Sequence, residues 1–297
     1  MSSPRWGLRA ARPAELTDRP RPRREPRRES SRVTATPGRH ARTPAEHGGR
    51  SDSEIGLTCA IIKAKVETIA KVGIGKAMHA VGDLLSRGFQ KARAAGWAQV
   101  YSGFSPQEIA VAVSLVGSPL RSRDRTGGIE QLIPRHQHET STPSLSARYG
   151  LGEFPFHSDA AHWPSPPRWV VMWCEVDETR RPTNLHYWSP LVERACKDTA
   201  ANFLVRNGRR SFFVDVRKEA RLDAGCMIPQ NHAAHRMIEL SSLANAPEPI
   251  AIMWEAGMVL ILDNKRMLHA RSDNLSEQVG RVGRRLLWRA LLDEVHV

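Results

Sequence analysis

From Ile61 onward, apolar positions recur along the chain with two distinct periods. Ile62, Val66, Ile69, Val81 and Leu84 fall at mostly helical intervals, with Gly73 and Gly75 expected to interrupt the run. Ser105-Pro106-Gln107-Glu108 has the form of a helix start: Ser as N-cap, Pro at the first helical position and Glu three residues after the cap. That helix is expected to carry Ile109, Val113 and Val116 and to stop near Gly117-Ser118-Pro119. Beyond residue 120 the pattern becomes strand-like, with short β-branched or aromatic runs between Pro and Gly. The clearest runs are 168–176, 211–216, 250–254, 258–262, 266–270 and 286–292.

Helices at the N-terminal end followed by many short strands predict an α+β, mainly β fold. A β-sandwich or jelly roll (a double-stranded β-helix) with flanking helices fits this order. Residues 54–120 are expected to form the helical part and 121–297 the jelly-roll core. Residues 1–53 differ in kind. They are rich in Arg, Pro, Ser and Gly, poor in aliphatics and without periodicity, so they are expected to stay disordered.

Charge changes this picture little. The net charge is +13 over 297 residues, but residues 1–50 alone hold thirteen Arg against five acids. The tail therefore accounts for +8 and the rest for +5, so the folded part is not expected to bind nucleic acid. Cys59, Cys174, Cys196 and Cys226 are scattered, which argues against structural zinc and a disulfide framework. No apolar run approaches the roughly 20 residues that cross a bilayer, and no secretory signal is recognisable. A soluble cytoplasmic protein without membrane contact is the expectation.

Three segments carry candidate chemistry. In Phe156-His157-Ser158-Asp159, an extended backbone turns His157 and Asp159 to the same side. An imidazole and a carboxylate make two-thirds of the facial triad that holds catalytic Fe(II). Uniform placement of 12 His and 31 acids gives about one such His-x-acid pair by chance, so the pair alone is weak. His269, within Asp263-Asn264-Lys265-Arg266-Met267-Leu268-His269-Ala270-Arg271, lies on a late strand that a jelly roll can bring alongside. Finally, a strand over 285–292 would put Arg285, Leu287, Arg289 and Leu291 on one face and Leu286, Trp288, Ala290 and Leu292 on the other. Both faces are then largely apolar, and arginines buried there call for an anion. A bound carboxylate would suit a guanidinium's parallel donors; snorkelling to solvent is the plainer alternative.

Together these segments resemble the taurine dioxygenase-like (TauD/TfdA) family of 2-oxoglutarate oxygenases over roughly residues 90–293. The resemblance lies in Gly152 to Asp159 with Pro166-Pro167-Arg168, in Asp263-Asn264 ahead of His269, and in Arg285-x-x-x-Arg289. It implies Fe(II) held by His157, Asp159 and His269, with 2-oxoglutarate as cosubstrate gripped by Arg285 and dioxygen as oxidant. Arg289 would support Arg285 or touch substrate. The family's Gly-Gly-x-Thr turn, whose Thr contacts 2-oxoglutarate, is replaced by Arg181-Pro182-Thr183-Asn184-Leu185, leaving Thr183 and Asn184 as candidates. Around the metal, His162 and Trp163 are candidate lining residues. For Trp163, Trp173 and Phe156, core packing is the more usual role.

The implied reaction oxidises, by hydroxylation, an unactivated C–H bond of a small molecule, with succinate and CO2 as coproducts. A basic pocket around Arg271 and Arg289 points to an anionic or amino-acid-like substrate. A second reading rests on the altered Thr183 stretch: a jelly-roll binding or sensor protein that keeps the ligands without turnover.

Overall fold

The structure, a computed structural model, describes residues 75–297 apart from 122–126, 141–144, 198, 208–209, 218–219, 247, 273–282 and 297. The expected tail and the helical positions Ile62, Val66 and Ile69 lie outside the described residues. Helix α1 (Gly75–Ala95) begins where Gly75 was expected to interrupt, and buries Val81, Leu85, Phe89 and Ala92 as one stripe. It ends at Gly96, whose φ of +85° suits a residue without Cβ. Helix α2 (Pro106–Val116) starts in the expected capping box. Ser105 Oγ accepts from the Glu108 N–H, and Glu108 Oε2 accepts from the Ser105 N–H at 2.8 Å.

The strands are β1 (Trp97–Tyr101), β2 (Gly117–Pro119), β3 (Ile129–Leu132), β4 (Phe154–His157), β5 (Trp169–Asp177), β6 (Thr183–Tyr187), β7 (Asn202–Asn207), β8 (Arg210–Asp215), β9 (Met227–Pro229), β10 (Ile250–Ile252), β11 (Met258–Asp263), β12 (Met267–Arg271) and β13 (Arg285–Val295). Helices α3 (Leu145–Tyr149), α4 (Trp188–Ala195) and α5 (His232–Leu240) lie between them in sequence. The larger sheet runs β1-β11-β5-β13-β2, with β3 also paired to β13. The smaller runs β10-β6-β12-β4, and β8-β7-β9 form a separate three-stranded sheet.

Strand parity sets the layers. Along β5, Trp169, Val171 and Trp173 join Val259, Ile261, Ala290 and Leu292 under α1 and α2. The alternate residues Val170, Met172 and Cys174 turn inward with Leu260, Leu287 and Leu291, and meet Leu185, Ile252 and Met267 of the smaller sheet. The other face of the smaller sheet, with Phe156, Leu268 and Ala270, is covered by α4, α5 and the three-stranded sheet. The result is a jelly roll with helices outside, as expected. No described helix is long and apolar enough to cross a membrane.

Between β11 and β12 the chain passes from the larger sheet to the smaller through a tight turn. Arg266 N–H donates to Asp263 O at 2.9 Å, and Lys265 N–H to Asp263 Oδ1 at 3.1 Å. This turn leads β11 of one sheet into β12 of the other, and so delivers His269 to the interior.

Candidate metal centre

His157 ends β4 and stands directly opposite His269 of β12 in the antiparallel register, with ring centroids 4.3 Å apart. Asp159 follows two residues later on the same side. Between them Ser158 points the other way: its N–H donates to Leu222 O at 2.8 Å, and its Oγ accepts from Leu222 N–H at 3.1 Å. One ligand atom from each of His157, Asp159 and His269 lies within 4.8 Å of the others, and all three residues are buried. The sequence spacing thus converges on one point, 112 residues apart in the chain.

The protonation states suit a cation. His157 Nδ1 lies 3.0 Å from the Pro155 carbonyl, which can only accept, so Nδ1 is the donor there and Nε2 is the ring nitrogen left for a metal. Burial pulls His269 down to about 3, and neighbouring His157 pushes the same way, so it is a neutral imidazole at pH 7. Its approach of 3.8 Å to Asp159 Oδ2 is therefore not an ion pair. Burial raises the Asp159 carboxyl, but Arg289, His269 and His157 outweigh it and hold the group below its ordinary value. Asp159 Oδ2 is buried without a hydrogen-bond donor, which is costly for a carboxylate unless a cation meets it. Two imidazoles and an ionised carboxylate with a vacant lone pair fit a divalent first-row metal such as Fe(II).

The surroundings of Asp159 hold it in place. Asn264 Oδ1 accepts from the Asp159 N–H at 2.9 Å, while Asn264 Nδ2 donates to Asp159 O at 3.1 Å and to Pro167 O at 2.9 Å. The Asp-Asn dipeptide thus has separate tasks: Asp263 shapes the turn and Asn264 clamps the ligand loop. Ala160, next in sequence, has φ of +54°, a left-handed conformation that L side chains disfavour. Arg289 Nη1 reaches Asp159 Oδ1 at 2.5 Å and Nη2 reaches Glu130 Oε2 at 2.6 Å. Against the effect of burial, the two carboxylates raise the Arg289 guanidinium above its ordinary value.

Both arginines of β13 point inward, as its alternation required. Arg285 is 7% exposed; its Nη1 donates to Arg181 O at 2.8 Å and its Nη2 to Thr183 Oγ1 at 3.2 Å. No carboxylate among the described residues lies within ion-pair distance of it. Burial pulls Arg285 down to about 10, which leaves it charged at pH 7. Thr183 pairs with Arg271 two positions from the His269–Leu185 pair, and so shares the face of His269. Asn184 pairs with Ala270, faces the opposite side and donates to Ser272 Oγ at 2.6 Å. Thr183 is thus brought to Arg285 and Asn184 is not.

The expectation of a basic pocket for an anionic substrate loses its footing here. Arg289 is taken up by Asp159 and Glu130. Arg271 donates to the carbonyls of Gly150 and Gly152 and stacks 3.6 Å over the Phe154 ring, bracing the turn before β4. His162 and Trp163 follow Asp159 in a partly buried turn, their rings edge to face. Arg221 donates to the Trp163 carbonyl at 2.9 Å, and among the described residues no hydrogen bond joins His162 or Trp163 to the triad. Burial outweighs the pull of Asp223 and lowers the His162 imidazole. Trp173 and Phe156 are core residues of the outer layers. Sequence reasoning missed Glu130 and Trp254, whose indole Nε1 donates to Thr183 Oγ1 at 2.8 Å. Neither stands in a recognisable motif, whereas Asn264 was signalled by its dipeptide.

No family model matches the chain, and no curated protein matches it. Solved structures do. The non-haem iron oxygenase OrfP, in complex with Fe and α-ketoglutaric acid, superposes with a TM-score of 0.52 at 14% identity, covering 82% of this chain and 92% of that one. The chain has the fold of a non-haem iron oxygenase. Asparagine oxygenase, in complex with Fe(II), 2S,3S-3-hydroxyasparagine and succinate, shares this oxygenase fold with a TM-score of 0.51, again at 14% identity, 82% of this chain and 92% of that one. The jelly-roll oxygenase fold is therefore shared with both at an identity too low for sequence matching alone.

Proposed function

We propose that the chain is an Fe(II)- and 2-oxoglutarate-dependent dioxygenase that oxidises an unactivated C–H bond of a small, amino-acid-like substrate. The observation carrying this reading is the convergence of His157, Asp159 and His269 on one buried point, with the buried Arg285 guanidinium on the same strand face as Arg289 and no carboxylate of the described residues at ion-pair distance from it. A two-histidine, one-carboxylate set leaves positions open on the metal. When bound, iron supplies dioxygen activation coupled to decarboxylation of 2-oxoglutarate to succinate and CO2.

The chain's own residues do the rest. Arg289 occupies Asp159 Oδ1 and leaves Oδ2 for the metal. Arg285 and Thr183 present donors for the distal carboxylate of 2-oxoglutarate. The amino-acid class draws on the fold neighbours, whose complexes hold hydroxylated arginine and asparagine. The altered Thr183 stretch does not favour a binding protein without turnover, because Thr183 still lies against Arg285.

Anaerobic addition of Fe(II) and then 2-oxoglutarate tests the reading. A weak visible charge-transfer band is expected, lost in His269→Ala and shifted to higher 2-oxoglutarate concentration in Arg285→Ala. Absence of the band in folded, iron-replete protein overturns the cosubstrate assignment.

A further inference from the structure

We propose that Trp254 is a positioning residue for the distal carboxylate of 2-oxoglutarate: its indole N–H forces the Thr183 hydroxyl to act as a donor toward that carboxylate. This rests on the dioxygenase reading above. Trp254 is 5% exposed and lies two residues beyond Ile252, which pairs with Thr183 across β10 and β6. Ile252 and Trp254 both belong to the interior cluster, so the indole reaches Thr183 from the interior side.

A threonine hydroxyl has two lone pairs and one proton, whereas indole N–H and guanidinium groups only donate. Trp254 Nε1 takes one lone pair at 2.8 Å and Arg285 Nη2 the other at 3.2 Å. The Thr183 proton must then point away from both, and it finds no acceptor among the described residues. Arg285 beside it has no carboxylate of the described residues at ion-pair distance, its cross-strand partner Asp177 acting on it only from farther off. A single carboxylate placed between them would satisfy both groups, and the arrangement presents only donors to it. A phenyl ring at position 254 would fill much of the same space. It would also free one lone pair, letting the hydroxyl turn to backbone acceptors and lose its orientation.

The test measures binding of 2-oxoglutarate and of 2-oxovalerate, which lacks the distal carboxylate, to anaerobic Fe(II)-loaded protein. Trp254→Phe is expected to weaken 2-oxoglutarate about tenfold and to leave 2-oxovalerate within about twofold. In a Thr183→Val background the same change is expected to alter neither. Equal weakening of both acids, or an undiminished tenfold loss in the Thr183→Val background, assigns Trp254 to packing and overturns the proposal. Wild-type protein that does not bind 2-oxoglutarate overturns the dioxygenase reading instead. Should Trp254→Phe fail to fold, indole N–H spectra of the Zn(II) form decide. The one indole resonance displaced by Thr183→Val is expected to move with 2-oxoglutarate and not with 2-oxovalerate; no such selective movement overturns the proposal.

Discussion

Replacing Asn264 with alanine removes a side chain that touches no proposed ligand atom, yet it is expected to damage both the fold and the metal site. Asn264 is 1% exposed and makes three hydrogen bonds, two to the backbone of Asp159 and one to Pro167 O. Alanine leaves one buried N–H and two buried carbonyls without these partners. At about 1 kcal/mol net for each bond, the loss is about 3 kcal/mol. With urea m-values of roughly 1–3 kcal/mol/M, the midpoint of unfolding falls by at least about 1 M. The Asp159 backbone, released beside a left-handed Ala160, no longer holds the carboxylate in register with the two imidazoles. Metal affinity is then expected to fall about 10–100-fold, as for other groups that orient ligands. Urea titration of the metal-free protein and Mn(II) titration of the folded variant measure the two effects separately. An unchanged midpoint together with unchanged Mn(II) affinity refutes the clamp.

Arg289→Leu strands two buried carboxylates and is expected to cost about 3–5 kcal/mol in the metal-free protein at pH 7, read by urea unfolding. The sign of its pH dependence follows from Asp159. Held below 3.8 in the fold, this group contributes stability above that value and loses it as pH falls through its depressed one. The variant reverses the shift, so its deficit is expected to narrow as the pH is lowered and its Asp159 protonates; a deficit constant from pH 7 to 4.5 refutes the pairing. Glu130→Gln keeps a hydrogen-bonding partner for Arg289 and is expected to cost less than Arg289→Leu in the same assay. Gly128→Ala meets both a φ of +89° and a Cβ position 2.6 Å from Pro119 O, and a loss of about 1–3 kcal/mol is expected in thermal unfolding.

What could be read from the sequence was what depends on local period. The alternation along 285–292 placed both arginines on a covered face, the Ser105 cap appears where its residue types required, and the gap between the runs 250–254 and 258–262 is a turn over 255–257. Met258 N–H closes that turn onto Glu255 O at 3.0 Å, with Gly257 at φ +80°. The demand for an anion near Arg289 was sound, but its source was internal. Glu130 is 159 residues away in the chain, and only the β3–β13 pairing brings it close. The choice between Thr183 and Asn184 likewise depended on the register of β6 against β12, which a one-residue slip would reverse. The strand 202–207 went unread among Asn and Arg residues, although its Phe203 and Val205 are buried in the outer layer.

Arg285 and Arg289 stand on one face of a single strand, four residues apart, so the backbone itself acts as a ruler of roughly 13 Å. On the proposed reading, one end marks the metal's carboxylate ligand and the other the far end of the cosubstrate. A strand offers side chains to one face only in increments of two residues, roughly 6.6 Å. If Arg285 grips a five-carbon 2-oxo diacid as proposed, the strand sets its anchor point in steps several times longer than one carbon, and finer adjustment falls to the side chain's own length. Adapting this barrel to a much longer diacid would mean moving the distal arginine to another rung or another strand.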